Sequence, residues 1–462
     1  KVPQQPRWWT LLVQLRDAAR IVDTASDPDN PLAQRGKAFP FVHAWRPVAS
    51  WALQLLQDRC TGLATRLQLE NEAWLDLGEA LLERLSNIAD QALWELFNQC
   101  RTPGQMLLAH LGEKGDGEGE PVREAYDAFC AELLAHGYEQ LLGNYPVLGR
   151  LLPTVIELWL QASEEMLFRL ADSRDCLHSN FGIPASAPLA AVQPCLSDPH
   201  RGGRAVAILQ FGTGEIVQRI VYKPKDMHVD LVYQQFLHRL NQASTLEPLR
   251  CLTVVNKIGY GFVEWVEHKP CQNEEELAKF YTNAGRVMAV LHLLRCTDCH
   301  HENMIASGDQ LVLVDTETIL DSDQSELISD IGDYLSAPSD LQVSIQASVL
   351  RSGMLPHWLM AGAGKKRAID ISALGIKPPP VECEMPGWLG LNSDGMMPGS
   401  TTQSCKLPTS LPVGLGDEQQ LTNFVNELNE GFNAQLSEAI RHRPLLLDAL
   451  QAFSGKLRRL VV

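Results

Sequence analysis

A chain of 462 residues that is 45% hydrophobic and 21% charged has an ordinary globular composition and enough length for a large core. Its net charge of −17 argues against a nucleic-acid partner, which would need clustered Lys and Arg to neutralise phosphates, and is compatible with a cationic peptide. No signal peptide or uninterrupted apolar run of membrane-spanning length is present, and eleven Cys without a disulfide framework suggest reduced thiols and a cytoplasmic location.

Taken in chain order, residues 1–190 read as a helical N-terminal extension. Trp51, Leu53, Leu55 and Leu56, then Leu81, Leu82, Leu85, Ile88, Leu93 and Leu96, recur at three- and four-residue intervals. The Gly- and charge-rich stretch after Leu111, including Glu118-Gly119-Glu120, reads as a surface loop, and Pro146 and Pro153 punctuate the helices that follow.

The texture changes near Pro194. Arg204 to Phe211 and Glu215 to Tyr222 read as strands joined by the turn Gly212-Thr213-Gly214. They lead into Lys223-Pro224-Lys225 and a helix carrying Leu231, Val232, Phe236, Leu237 and Leu240. Two more strand-like runs, Leu252 to Ile258 and Gly261 to Val266, flank a Gly-Tyr-Gly turn. A long helix follows, with Leu277, Phe280, Tyr281, Ala284, Val287, Met288 and Leu291 on one face.

After that helix comes Asp298-Cys299-His300-His301-Glu302-Asn303, then the apolar strand Leu311 to Val314 and Asp315. This spacing suits phosphoryl transfer: one carboxylate takes or orients a hydroxyl proton, while an asparagine oxygen and a second carboxylate hold Mg²⁺ across a short hairpin. His300 either contacts the transferred phosphate or braces the loop. Lys223, at the end of a strand, is where a kinase places the lysine that neutralises nucleotide phosphates; Lys225 is its competitor.

Hairpin, lysine strand, helix, two strands, long helix and catalytic loop follow the order of a kinase small lobe leading into its large lobe. The expected fold is therefore α+β, with 1–190 as the helical extension, 191–270 as the small lobe and 271–462 as the large lobe. Ser322 to Asp340 suits a mobile loop, 378–400 looks irregular, and Leu421 to Leu450 reads as helical. Asp198-Pro199-His200, Gly212-Thr213-Gly214 and Arg458-Arg459 each admit a bland reading, as turns or a solvated end, beside a phosphate-binding one. Cys296 and Cys299 form a single C-x-x-C with no second pair at zinc spacing.

Several segments together resemble the dehydratase domain of class II lanthipeptide synthetases. They are Ser197 to Gly203, Ile220 to Lys225, Thr297 to Asn303 and Val314 to Thr318, with Asn144 to Leu148 and Asp370 to Gly375. The resemblance covers the chain from about residue 85 to 462. It implies a two-lobed kinase-like fold close to the lipid kinases, with extra helices. It also implies a two-step activity: ATP/Mg²⁺-dependent phosphorylation of Ser and Thr in a leader-bearing precursor peptide, then elimination of phosphate to dehydroalanine or dehydrobutyrine.

Carried over by position, Lys223 contacts ATP, Asp298 is the acid/base assisted by His300, and Asn303 and Asp315 hold magnesium. Asp198 and His200 match a functional turn, and Arg459 matches an arginine needed for elimination. Full-length members continue into a zinc-dependent LanC-like cyclase, whose Cys and His ligands are absent here. Zinc is not expected in this portion, and a chain truncated before the cyclase is. The alternatives are a protein or small-molecule kinase that stops at phosphorylation and a catalytically silent peptide-binding scaffold.

Overall fold

The computed structural model describes residues 6–21, 30–112, 121–212, 214, 217–321, 348–361, 367–375, 382–404, 409–413, 421–455 and 457. The chain divides into two compact units: residues 1–224 with 382–403, and residues 225–381 with 404–462. Both helices and strands are present, so the protein is α+β as expected.

The first unit begins with nine helices among the described residues: α1 (Arg7–Ile21), α2 (Val42–Arg59), α3 (Thr61–Leu67), α4 (Asn71–Cys100), α5 (Pro103–Gly112), α6 (Glu124–Ala135), α7 (Glu139–Asn144), α8 (Leu148–Asp172) and α9 (Arg174–Phe181). The apolar periodicity is realised as core, except that Ile88 is exposed. On α4, Leu77, Leu81, Leu85, Leu93, Leu96 and Phe97 are all buried. Trp45 of α2 stacks on Tyr138, with ring centroids 4.9 Å apart.

Three strands follow, β1 (Leu189–Gln193), β2 (Ala207–Phe211) and β3 (Gln218–Lys223), paired antiparallel as a meander. The β2–β3 hairpin matches the sequence reading, with Gly212 and Gly214 supplying the positive φ of its turn. Strand β1 straddles the end of the segment read as helical, with Leu189 and Ala190 inside it. Its five residues are too few to carry a distinguishing period, and its pairing with β2 decides its conformation.

The second unit starts with α10 (His228–Ala243) and the hairpin β4 (Val254–Lys257) and β5 (Tyr260–Glu264). Next comes α11 (Glu274–Leu293). Its start is encoded locally: the Asn273 side chain accepts the Glu276 N–H at 2.9 Å, and three successive glutamates sit at the positive end of the helix dipole. A hairpin of β6 (Met304–Ser307) and β7 (Gln310–Leu313) follows, then the pair β8 (Trp358–Ala361) and β9 (Arg367–Asp370).

Residues 382–403 return to the first unit as a two-stranded sheet of β10 (Glu382–Leu389) and β11 (Met397–Ser404). This corrects the expectation of an irregular stretch. Gly399 and Gly387 leave room for the side chains of Leu389 and Thr401, so pairing survives the glycines and prolines that obscured the pattern. The returning segment is bonded to the helices: Asp394 accepts from the backbone N–H of Ala125 and Tyr126, and Arg101 donates to the Asp394 and Met396 carbonyls.

Back in the second unit, α12 (Val425–Arg441) and α13 (Arg443–Gln451) confirm the helical reading of the C-terminal region. Helix α12 lies against α11 at glycine positions. A Cβ on Gly285 would strike the Leu428 carbonyl, and one on Gly431 the Thr282 carbonyl, so only glycine allows this approach. Buried Arg286 donates to Gln435 Oε1, Asn283 Oδ1 and the Glu247 carbonyl, and burial lowers its pKa. The expected mobile loop, 322–340, lies outside the described residues. No helix among the described residues is long and apolar enough to cross a membrane.

Candidate functional site

The site is built where α11 ends. Cys296 N–H bonds back to the Leu291 carbonyl, closing the helix, and Arg295 and Asp298 both turn into the left-handed region, at φ 48° and 60°. Buried Cys296 and Cys299 anchor the intervening turn, with their sulfurs 3.3 Å apart. The Cys299 thiol is pushed well up from its ordinary range by the hydrogen bond to Cys296 and by burial, so it stays protonated. With both cysteines held inside, the Asp298 side chain projects outward and remains more than half exposed.

Within this turn three of the expected residues meet. His300 Nε2 lies 3.2 Å from Asp298 Oδ1. His300 Nδ1 accepts the Glu302 N–H at 3.2 Å, which puts the ring proton of the neutral tautomer on Nε2, facing Asp298. Asn303 Nδ2 donates to the Asp298 carbonyl at 2.8 Å and to Oδ2 at 3.3 Å. The turn is backed by the 352–375 segment. Cys299 N–H donates to the Ser352 carbonyl, His301 donates to the Ile371 carbonyl through both its backbone N–H and Nδ1, and His300 forms a β-bridge with Ser372. Asp370 in turn fixes that segment, accepting from His357 N–H, Ser372 N–H and the Ser372 hydroxyl.

The β6–β7 hairpin carries the chain from Asn303 to Asp315. Its register pairs Met304 with Leu313, and the Val314 N–H bonds to the Asn303 carbonyl at 2.9 Å, continuing the ladder to the two ends. Asp315 Oδ1 accepts from Lys225 Nζ at 3.3 Å and from the Glu317 N–H at 3.2 Å. Glu317 accepts from Lys225 as well. Burial works to lower the Lys225 pKa, but Asp315, Asp230 and Glu317 outweigh it and the net shift is upward. The structure thus puts Lys225, the competitor in the sequence reading, on Asp315. Glu317 and Thr318, whose hydroxyl donates to the Thr297 carbonyl, complete the cluster. Neither belongs to a periodic pattern; the signal in the sequence was their place in the Val314 to Thr318 segment that carries the resemblance.

Three of the other expected residues belong to the first unit. Lys223 is the buried last residue of β3, in the first unit. Asp198 and His200 lie in the same unit on an exposed turn, where His200 and Arg204 exchange backbone hydrogen bonds around Arg201, Gly202 and Gly203, all at positive φ. Arg204 pairs with Glu165; burial would raise that carboxyl's pKa, yet Arg204 and Arg169 bring it below its ordinary value. Arg458 and Arg459 lie outside the described residues.

Among the described residues no group of three or more His, Cys, Asp or Glu is placed to hold a metal. Asn303 and Asp315 do offer the donor chemistry that magnesium takes. The Asn303 amide nitrogen is used on Asp298, which leaves the amide oxygen for a cation, and the Asp315 carboxylate already faces the positive charge of Lys225. Hard oxygen donors next to an aspartate–histidine pair can position a polyanion and accept a proton beside it.

Comparisons with known proteins agree with this region. The chain is 24% identical over 275 residues to the "Lacticin 481/lactococcin biosynthesis protein LcnDR2" of Lactococcus lactis subsp. lactis, a match covering 56% of the chain but only 28% of that relative. The profile of the family described as "Domain of unknown function (DUF4135)" matches residues 145–462. These matches bear out the resemblance to the lanthipeptide synthetases. Since the profile runs over more than half of the sequence and through every element of the Asp298 turn, the chain belongs to the DUF4135 family.

Proposed function

We propose that the chain carries out the dehydration chemistry of a lanthipeptide synthetase: phosphorylation of Ser and Thr in a leader-bearing precursor peptide with ATP and Mg²⁺, then elimination of phosphate. The observation that carries the reading is the meeting of Asp298, His300 and Asn303 in one turn, with Asn303 laddered to the residue before Asp315. That arrangement supplies a proton acceptor and oxygen donors in a kinase-like order, and the relative's role in lacticin 481 and lactococcin biosynthesis supports a peptide substrate.

In the first step the peptide hydroxyl oxygen bonds to the γ-phosphorus of ATP as the bond to ADP breaks. The hydroxyl proton passes to the Asp298 carboxylate. The His300 Nε2–H, 3.2 Å away, holds that carboxylate in position. Asn303 and Asp315 would hold magnesium, which when bound neutralises phosphate charge. Lys225 keeps Asp315 oriented from behind, and Lys223 is assigned to the nucleotide phosphates.

In the second step a base takes the Cα proton, the Cβ–O bond breaks and phosphate leaves, giving dehydroalanine or dehydrobutyrine. Arg459 is assigned to the departing phosphate, with Asp198 and His200 in support. The LanC-like cyclase is the expected partner domain in the full-length protein, and the cytoplasm its location.

The test is mass spectrometry of a leader-bearing Ser/Thr peptide after incubation with the protein, ATP and MgCl₂. Transient phosphorylation followed by net loss of water supports the proposal. A phosphopeptide that accumulates without losing phosphate supports instead a kinase that stops at the first step. No phosphorylation, together with no ATP binding, supports a silent scaffold.

A further inference from the structure

The geometry points to Thr318 as a positioning residue for Asp298, acting through the carbonyl of Thr297; the functional half of this inference rests on the reading of Asp298 as the proton acceptor. Asp298 sits at φ 60°, a left-handed conformation uncommon for a residue with a side chain. Such a backbone persists only where its neighbours over-determine it.

The two peptide planes flanking Asp298 are held by different groups. On the far side, the Asp298 carbonyl accepts from Asn303 Nδ2 at 2.8 Å, and Cys299 N–H, in the same plane, donates to the Ser352 carbonyl at 2.7 Å. These contacts hold ψ. On the near side, rotation about φ swings the Thr297 carbonyl, and that oxygen accepts from the Thr318 hydroxyl and from the Cys296 thiol at 3.4 Å; the Cys299 sulfur also lies at 3.4 Å, its single proton shared between this oxygen and Cys296 Sγ. A thiol is a weak donor, so the Thr318 hydroxyl is the strong member of the set.

Thr318 lies three residues past Asp315 in sequence and in the same turn as Glu317. One hydroxyl therefore links the turn that bears the proton acceptor to the turn that bears the second carboxylate. The β6–β7 ladder ties Asn303 to Val314, and Thr318 closes the other side of the loop. Rotation of the Asp298 peptide would move its carboxylate relative to His300 and Asn303 without unfolding anything.

The test compares wild type, Thr318→Val, which keeps the shape and loses the hydroxyl, and Thr318→Ser, which keeps the hydroxyl. Two readouts are needed: amide hydrogen exchange over residues 296–303, and ADP release from Mg·ATP. In Thr318→Val, exchange in that segment should quicken and kcat should fall, each roughly five- to tenfold for one lost hydrogen bond, with KM for Mg·ATP unchanged. Thr318→Ser should restore both. Wild-type exchange in Thr318→Val, or a Thr318→Ser variant as impaired as Thr318→Val, overturns the assignment. If wild type releases no ADP, the proposed activity fails, and hydrogen exchange alone decides the positioning role.

Discussion

Asp298 and Asn303 are tied twice, the Asn303 amide donating both to the Asp298 carbonyl at 2.8 Å and to its carboxylate at 3.3 Å. The residue that would take a proton and the residue that would hold a cation are therefore oriented by each other. Asp298→Asn removes the carboxylate and keeps the size of the side chain. Phosphate transfer to peptide, followed by mass, should drop by ~100-fold or more, in the range of lost general-base catalysis, while Tm stays near wild type.

Lys225 bridges Asp315 and Glu317 with little exposure of its own. Lys225→Met removes the ammonium that the two half-shielded carboxylates share. Urea denaturation should show a loss of roughly 1–3 kcal/mol, the scale for removing a donor that is hydrogen-bonded to charged, partly buried groups. Adding Glu317→Gln to Lys225→Met should recover part of that loss, because one of the stranded charges is then gone.

His43 gives the first unit a pH dependence. Burial first, then the nearby Arg123 and Arg46, push its pKa down from about 6.5 to about 3, and its ring accepts from Arg123 at 2.9 Å. A histidine depressed in the folded state is protonated earlier in the unfolded one. Its contribution is full above pH ~6.5 and is lost as pH falls towards 3. His43→Gln, which can still accept from Arg123, should show a smaller decline in urea midpoint across that window than wild type.

Gly285 and Gly431 predict a steric effect with no electrostatic component. Gly285→Ala would press a methyl group into the Leu428 carbonyl, so α11 and α12 would have to move apart. Overpacking of this kind costs about 1–3 kcal/mol, and the Tm of Gly285→Ala should fall accordingly. Gly62→Ala is the control: nothing lies near its Cβ position and it is helical, so its Tm should hold or rise.

Legibility in the sequence followed the length of the local signal. Helix α11, with seven apolar residues on one face, was readable, as was the hairpin that delivers Asp315. The contact of Lys225 with Asp315 was not. Strand β3 ends at Lys223, and Pro224 breaks the alternation that would have oriented Lys225. The Thr318 contact was equally hidden, because it joins two turns and turns carry no period. The sheet of β10 and β11 was missed since Pro386, Gly387, Pro398 and Gly399 are the residues that normally argue against strands, and its pairing depends on what those glycines face.

The first unit is interrupted in sequence, and on the ribosome this becomes a delay. Arg101 and Tyr126 emerge early, yet their partners Met396 and Asn392 are translated only after most of the second unit. At 5–20 residues per second the wait is on the order of fifteen to sixty seconds, ample time for nascent helices to collapse around an unpaired arginine. Helices made well before the second unit are thus among the last to reach their final packing, and a chaperone that shields α4 and α6 during elongation should raise the yield of folded protein.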